Sequence, residues 1–169
     1  INSATGQFAW TPSEAQGPGG YSITVRVSDD GAPSLFDEET FAVTVNEVNQ
    51  APVLAAIGNK TISEGTSLSF VVSASDPDLP ANSLTYSASG LPQFATFNPA
   101  TRTFSWTPTE AQGPGSYDLT FRVTDNGSPA LADEETIRIT VNEDASIDAG
   151  PKANNGQPDA FRFVRNGAN

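Results

Sequence analysis

The sequence predicts an all-β fold, built as antiparallel β-sandwiches in tandem repeats. Two stretches of the chain are near-copies of each other, apolar residues alternate with polar ones between turns, and 14 glycines and 13 prolines punctuate the 169 residues. Alternation with a period of two is typical of strands that bury one face, and frequent turn residues indicate many short strands. No segment has a helical period over a useful length.

The internal repeat is the clearest of these observations. Residues 4–47 and 100–143 align without a gap at an offset of 96 residues, so that Glu14 corresponds to Glu110 and Glu47 to Glu143. An offset of this size is close to the length of one sandwich domain.

The repeat also predicts where the domains begin and end. We assign residues 1–49 to the second half of a repeat and residues 50–143 to a complete repeat. The remaining residues, 144–169, do not match the start of the repeat, so we assign them to a linker and the start of a different domain. Within them, residues 160–167 have the pattern of a strand that enters a hairpin turn.

The complete repeat is expected to hold about seven strands in two antiparallel sheets. A lead strand is predicted over residues 53–57, and Trp106 with Phe121 is expected at the centre of the core. The alternative for the tryptophan is a platform on which a sugar ring stacks. Alternating apolar residues mark the main strands: Leu68, Phe70, Val72, Leu84, Tyr86, Ala88, Tyr117, Leu119, Phe121, Val123, Ile137, Ile139 and Val141.

Charge and composition limit the partners and the chemistry that the chain can have. There are 20 acidic and 8 basic residues, for a formal net charge of -12, which disfavours nucleic acid and anionic membranes as partners and favours a divalent cation. The alternative is an acidic surface that serves only solubility. The chain has no His and no Cys, so it lacks an imidazole base, a thiol nucleophile and a disulfide framework. We therefore predict that it is not an enzyme.

One long, ordered pattern carries a family resemblance. The segment 90–108, GLPQFATFNPATRTFSWTP, is followed by Tyr117 and by Val123-Thr-Asp-Asn-Gly127. It resembles the bacterial immunoglobulin-like repeats (the putative Ig domain family) and the related dystroglycan-type cadherin-like domains. The resemblance implies an immunoglobulin/cadherin-like sandwich, in which Tyr117 occupies the position of the tyrosine corner.

A second pattern is similar to the calcium-binding segment of cadherins. Residues 74–82, ASDPDLPAN, follow one predicted strand and precede the next. Calcium prefers six to eight hard oxygen ligands, and Asp76 with Asp78 can direct two carboxylates to one point if the backbone turns between them. Asn82 and Asp125 could complete the shell. The alternative is that these carboxylates only decorate loops.

The cadherin resemblance implies further ligands, from Glu64, Glu110 and the linker 46–52 that contains Glu47 and Asn49. The linker is one residue shorter than the cadherin form, and Pro108 replaces one expected aspartate. One ion or weak sites are therefore expected, not a full set of three ions. The acidic run 133–135 and its copy 37–39 precede strands, where solvation and protection of a sheet edge are the expected roles.

These observations favour a structural or adhesive calcium-binding repeat of a large extracellular bacterial protein, secreted or associated with the cell surface and membrane. Its expected partners are calcium, neighbouring repeats, and homophilic protein or polysaccharide contacts. The alternative is a carbohydrate-binding or accessory module of an extracellular polysaccharide-degrading enzyme, which requires exposed aromatic residues. The half-repeat has unpaired edges, so a dimer or the segment 160–169 is expected to complete it.

Overall fold

The computed structural model of the chain describes residues 1–143, so the predictions for residues 144–169 lie outside the described residues. Two long strands come first, β1 (Gly19–Ser28) and β2 (Phe36–Val45), and they pair antiparallel as a hairpin. Nine strands follow: β3 (Val53–Leu54), β4 (Lys60–Ser63), β5 (Leu68–Val71), β6 (Ala74–Ser75), β7 (Thr85–Ser89), β8 (Thr96–Asn98), β9 (Thr103–Trp106), β10 (Gly115–Thr124) and β11 (Ala132–Asn142). We refer to residues 1–45, which contain β1 and β2, as the hairpin and to β3 through β11 as the sandwich.

The sandwich has two main layers. One sheet has the strand order β4-β11-β10-β7 and the other has the order β5-β9-β8, while β3 and β6 form a short pair of their own. Between the two main sheets lies a core in which Phe104, Leu119, Phe121 and Ile139 are fully buried. Trp106 also lies in this core and is 2% exposed, so the predicted core position of Trp106 and Phe121 is confirmed.

The sequence pattern explains the long strand β10 of the sandwich. In β10, Leu119, Phe121 and Val123 are buried, while the intervening residues are less so. This is the alternation with a period of two that a half-buried strand requires. In β10, Tyr117 donates a hydrogen bond from its hydroxyl group to the carbonyl oxygen of Gln112, at 2.9 Å. The tyrosine-corner position therefore carries the hydrogen bond that holds such a corner.

The start of the complete repeat differs from the prediction. The expected lead strand over residues 53–57 is only two residues long, and a second strand, β4, follows it after a turn at Gly58. Gly58 has a φ of +69°, which glycine adopts without the steric cost of a Cβ atom. Strand β4 then pairs parallel with β11, so the sheets are not wholly antiparallel.

The acidic run 133–135 lies inside β11, not before it as predicted, and it has a structural role that we did not predict. Asp133 Oδ2 accepts the N–H of Leu54 at 2.8 Å, and the two Glu135 oxygens accept the N–H groups of Ile57 and Gly58 at 2.7 and 2.9 Å. Only the central residue, Glu134, has the expected surface role, because it pairs with Arg122. Alternate residues of a strand face opposite sides, so the flanking carboxylates point to the lead segment and the central one to solvent.

Candidate functional site: the junction between the hairpin and the sandwich

The linker between β2 and β3 bonds to loops of the sandwich. Asn49 donates from Nδ2 to Asp125 Oδ2 at 3.0 Å and to the carbonyl oxygen of Pro129 at 2.9 Å. The backbone N–H of Gln50 donates to Asp78 Oδ1 at 3.1 Å. These bonds bring the end of the hairpin against the loops that follow β6 and β10.

Three carboxylates converge at this junction. Glu14, Glu47 and Asp78 each place one oxygen within 4.8 Å of the other two. Glu14 lies in a single 3-10 turn, Glu14–Gln16, and Glu47 follows the end of β2. Asp78 comes from the loop after β6 and is 1% exposed, although it is an acid. The hairpin side thus supplies two carboxylates, and the sandwich supplies the third.

A hydrogen-bonded loop holds Asp78 in place. Asp76 Oδ1 accepts the N–H groups of Asp78 and Asn82, both at 3.1 Å. The Asn82 side chain donates to Asp78 Oδ2 at 2.7 Å and to Asn49 Oδ1 at 2.8 Å. The second oxygen of Asp76 is buried and accepts no hydrogen bond within residues 1–143. A buried carboxylate oxygen that lacks a donor is expected to need a cation or water as its partner.

Asp125 lies at the edge of the same group. Burial alone would raise the pKa of its carboxyl group, but hydrogen bonds from Leu131, Asn49 and Gly127 outweigh burial and lower this pKa below its ordinary value. Gly127 is also needed for space, because a Cβ atom there would lie 1.8 Å from Asn49 Oδ1. Asp125 is therefore ionised over the neutral range and accepts a hydrogen bond from the linker.

Electrostatic repulsion is concentrated on Glu47. Its pKa is raised above the ordinary value, first by desolvation and then by the hydrogen bond to Glu14 and the negative charges of Glu14 and Asp78. The two negative charges therefore disfavour the ionised form of Glu47. A bound cation would remove this repulsion, whereas a proton relieves it only in part.

A second group of carboxylates lies at the opposite end of the sandwich. Glu64, Glu110 and Glu143 each place one oxygen within 4.8 Å of the other two. Glu110 precedes β10, whereas Asp125 follows it, so this group and the junction lie at opposite ends of a ten-residue strand. Glu64 is fully buried and packs against Gly113, where a Cβ atom would lie 2.1 Å from Glu64 Oε2.

The predicted site residues therefore divide between two places. The structure gathers most of them at the junction, and it places Glu64 and Glu110 in the second group. Two members were missed, Glu14 at the junction and Glu143 in the second group. The repeat carries the signal for both, since Glu14 corresponds to Glu110 and Glu143 to Glu47. The predicted residues at the junction are Glu47, Asn49, Asp76, Asp78, Asn82 and Asp125.

The donor atoms at the junction suit a hard cation. They are carboxylate and amide oxygens, which calcium and magnesium prefer, and calcium tolerates the irregular geometry that separate loops provide. Glu14, Glu47 and Asp78 would be the central ligands, and the buried oxygen of Asp76 lies in the same loop as Asp78. The residues present thus fit a calcium ion in number of oxygens and in charge.

The pH dependence of stability should show the repulsion on Glu47. Without metal, Glu47 binds a proton at a higher pH in the folded state than in the unfolded state, where its pKa has the ordinary value of 4.5. The free energy of unfolding therefore increases as the pH falls towards 4.5. Asp125 acts in the opposite sense, because its stabilisation is present above 3.8 and is lost below that pH. We expect Glu47→Gln to abolish the gain, measured as the difference from wild type in urea unfolding at a series of pH values. An equal gain in both proteins would contradict this assignment.

Comparison with known proteins identifies the family of this fold. Residues 51–142 match the family model described as "Putative Ig domain". The chain belongs to this family. The match covers the sandwich almost from end to end, and it confirms the resemblance that the segment 90–108 carries.

The Ig-like family assignment agrees with curated relatives among cadherin proteins. The chain is 33% identical over 132 residues to Protocadherin Fat 1 of Homo sapiens and 28% identical over 160 residues to Protocadherin Fat 4 of Mus musculus. These matches cover 73% and 83% of the chain, but the chain spans only 3% of the length of either relative. The chain is therefore a cadherin/Ig-like repeat module, and the functions of the whole relatives do not follow from the match.

Solved structures give the same fold. A protocadherin gammaB7 structure of a cis-dimer has a TM-score of 0.56 at 27% identity, and it covers 77% of this chain and 34% of that one. The protocadherin gammaB4 extracellular domain has a TM-score of 0.54 at 28% identity, covering 77% of this chain and 23% of that one. Within residues 1–143, there is no helix with the length and apolar character of a membrane span.

Proposed function

We propose that the chain is a calcium-binding, non-catalytic spacer of an extracellular adhesive protein, in which the ion stiffens the junction between successive repeats. Three carboxylates from both sides of the linker, each with an oxygen within 4.8 Å of the others, are the observation that carries this proposal. Such a group is costly without a cation, because like charges repel. The extracellular position is consistent with the solved extracellular domain that the chain resembles.

The proposal includes the domain division, with a half-repeat over residues 1–49 and a complete repeat over residues 50–143. Equivalent residues of the two copies lie at the same end of each repeat: Glu14 and Glu47 in the first, Glu110 and Glu143 in the second. Asp78 comes from the start of the complete repeat. The junction therefore joins the end of one repeat to the start of the next, and the second group lies at the equivalent end of the complete repeat.

Within residues 1–143, no residue takes the place of Asp78 in the second group. Glu64, Glu110 and Glu143 alone offer three carboxylates, and Glu110 and Glu143 are exposed. Both groups hold three carboxylates, but two of the three are exposed in the second group and only one is exposed at the junction, where the buried oxygen of Asp76 lies in the same loop as Asp78. A more rigid set of ligands binds calcium more tightly. The junction is therefore the tighter of the two sites, and a two-site titration has unequal constants.

The carbohydrate-binding alternative receives no structural support. It requires a flat exposed strip of aromatic residues, but Trp106 is 2% and Tyr86 is 8% exposed. Trp10 and Tyr117 are half-buried, and each makes an edge-to-face contact inside its own repeat. These four residues serve packing, so no second function is proposed.

Calorimetric titration with calcium tests the proposal directly. We expect saturable heat, with a dissociation constant of about 10⁻⁴ to 10⁻³ M at the junction, as for other extracellular calcium modules. Small-angle scattering in calcium and in EDTA should show a more extended, less flexible particle in calcium. Absence of heat at millimolar calcium, together with identical scattering curves, would refute calcium stiffening.

A matched variant separates the two groups of carboxylates. Glu14→Gln removes a ligand of the junction, and Glu110→Gln makes the same change at the equivalent position of the second group. We expect only the first to remove the tighter site and the change in scattering. Equal effects of both variants would show that the junction is not the site of stiffening.

A further inference from the structure

The hairpin exposes an apolar face whose counterpart in the sandwich is buried. Phe8 is 40% exposed whereas its equivalent, Phe104, is fully buried, and Val27 is 67% exposed whereas Val123 is fully buried. The strand register is the same in both, since Gly19 faces Val45 as Gly115 faces Val141. Among the residues that the structure describes, the hairpin thus presents half of a sandwich core without strands that cover it. An exposed apolar face of this kind marks an interaction surface.

The sandwich shows what covers such a face. Its lead segment, residues 51–64, lies along β11 and forms the parallel pairing from Ile139 with Lys60 to Asn142 with Ser63. Asp133 and Glu135 accept three backbone N–H groups of this segment, as described above. Leu54, Ile57 and Ile62 pack against the core. The lead segment is therefore held against the rest of the sandwich by backbone hydrogen bonds, apolar side chains and strand pairing.

The hairpin retains the same acceptors. Asp37 and Glu39 are the equivalents of Asp133 and Glu135, and they line an open groove of about 380 Å³ together with Phe8, Val27 and Phe41. Asp37 Oδ1 accepts the N–H of Glu38, just as Asp133 Oδ1 accepts the N–H of Glu134. The conformation that receives the lead segment in the sandwich is thus already present in the hairpin.

The free edge of β2 completes this surface. Strand β2 pairs with β1 on one side, and no other strand within residues 1–143 pairs with it. Residues 43–46, which are the end of β2 and the residue after it, correspond to the part of β11 that pairs with β4. A strand edge with unpaired N–H and C=O groups is a template for another extended chain.

We propose that this edge and groove bind an extended segment with the chemistry of residues 51–64, which adds as a parallel strand to β2. The segment presents three apolar side chains to the groove and three backbone N–H groups to Asp37 and Glu39. Its natural source is the lead segment of another repeat of this kind. Strand addition gains affinity from main-chain bonds and specificity from alternate side chains. The inference does not depend on calcium, and its test is done in EDTA.

A labelled synthetic peptide of residues 51–64, APVLAAIGNKTISE, is the probe. We expect saturable binding to the full chain by fluorescence anisotropy, with a dissociation constant below about 1 mM. A scrambled peptide, and one with N-methyl groups at the positions of Ile57 and Gly58, should bind at least about tenfold more weakly, a difference of about 1.4 kcal/mol. Equal binding of all three peptides would overturn the proposal.

Variants of the chain identify the acceptors. The double change Asp37→Asn and Glu39→Gln should weaken peptide binding at least about tenfold, because amides are poorer acceptors for these N–H groups than carboxylates. Asp30→Asn is the control, because Asp30 is exposed in the loop after β1 and does not line the groove. Hydrogen exchange of the β1 and β2 amides checks that both variants keep the hairpin.

Three results would overturn the inference. The first is no saturable binding of this peptide or of a longer probe, residues 51–98. The second is equal loss of binding in the Asp30→Asn control. The third is a dimer in analytical ultracentrifugation that excludes the peptide, which would show that two hairpin faces cover each other instead.

Discussion

Replacing Phe104 with alanine is expected to lower the free energy of unfolding of the sandwich by about 3–5 kcal/mol. Phe104 is fully buried, stacks on Phe70 with ring centroids 5.0 Å apart, and meets the edge of Phe121 at 5.8 Å. Its removal leaves a cavity that the surrounding rings can fill only in part. Urea unfolding followed by the fluorescence of the buried Trp106 measures the change, in a Trp10→Phe background so that a single tryptophan reports.

The repeat provides a matched control for this change in the same molecule. Phe8 is the equivalent residue of the hairpin, but it is 40% exposed, and its ring meets that of Phe41 edge-on at 6.0 Å. Phe8→Ala should therefore cost about 1 kcal/mol or less. If the two substitutions cost the same, then the hairpin face is covered in solution, or the sandwich core is not packed as described.

This contrast shows what the sequence alone can predict. The strands β10 and β11 follow directly from alternation, because a strand with one buried face must place apolar residues at every second position. The two copies of this pattern are equally regular, so alternation alone does not distinguish Phe8 from Phe104. Whether a face is buried depends on the strands that cover it, and these lie outside the copied segment. The repeat boundaries predict that the first copy is only half of a repeat, and the structure shows which of its residues are left exposed.

The lead segment shows a different limit. Residues 53–57 are apolar enough to predict one strand, yet backbone bonds to Asp133 and Glu135 and the positive φ of Gly58 divide the segment. These carboxylates are distant in sequence and have the charge expected of solvated residues. Their acceptor role depends on tertiary position, which periodicity does not encode.

The candidate site was predicted in composition but not in arrangement. The segment 74–82 and the linker were selected because their spacing is similar to a calcium-binding pattern, and the structure brings their residues together at the junction. Sequence order does not say at which end of a sandwich each loop lies, so Glu64 and Glu110 were grouped with residues from the opposite end. Glu14 was missed because no pattern marks it other than its equivalence to Glu110. Reading each ligand in both copies would have found it.

The junction yields the second prediction with a large effect, under the proposed function. At a free calcium concentration of about 100 times the dissociation constant, binding should raise the free energy of unfolding by about 2.7 kcal/mol. Asp78→Asn should abolish most of this gain, because it removes the buried carboxylate that faces Glu14 and Glu47. Thermal melting with and without calcium, on wild type and variant, measures the difference.

The sign of the effect without calcium separates a metal ligand from a purely structural residue. In EDTA, Asp78→Asn relieves the repulsion on Glu47, since Asp78 is one of the charges that raise the pKa of Glu47. The variant should then be as stable as wild type or more stable, and less stable than wild type only in calcium. Asp118→Asn makes the same change of charge on the surface, where Asp118 pairs with Arg138, and should keep the full gain from calcium. A loss of stability from Asp78→Asn that is equal in EDTA and in calcium would show that Asp78 serves only the hydrogen bonds from Gln50 and Asn82.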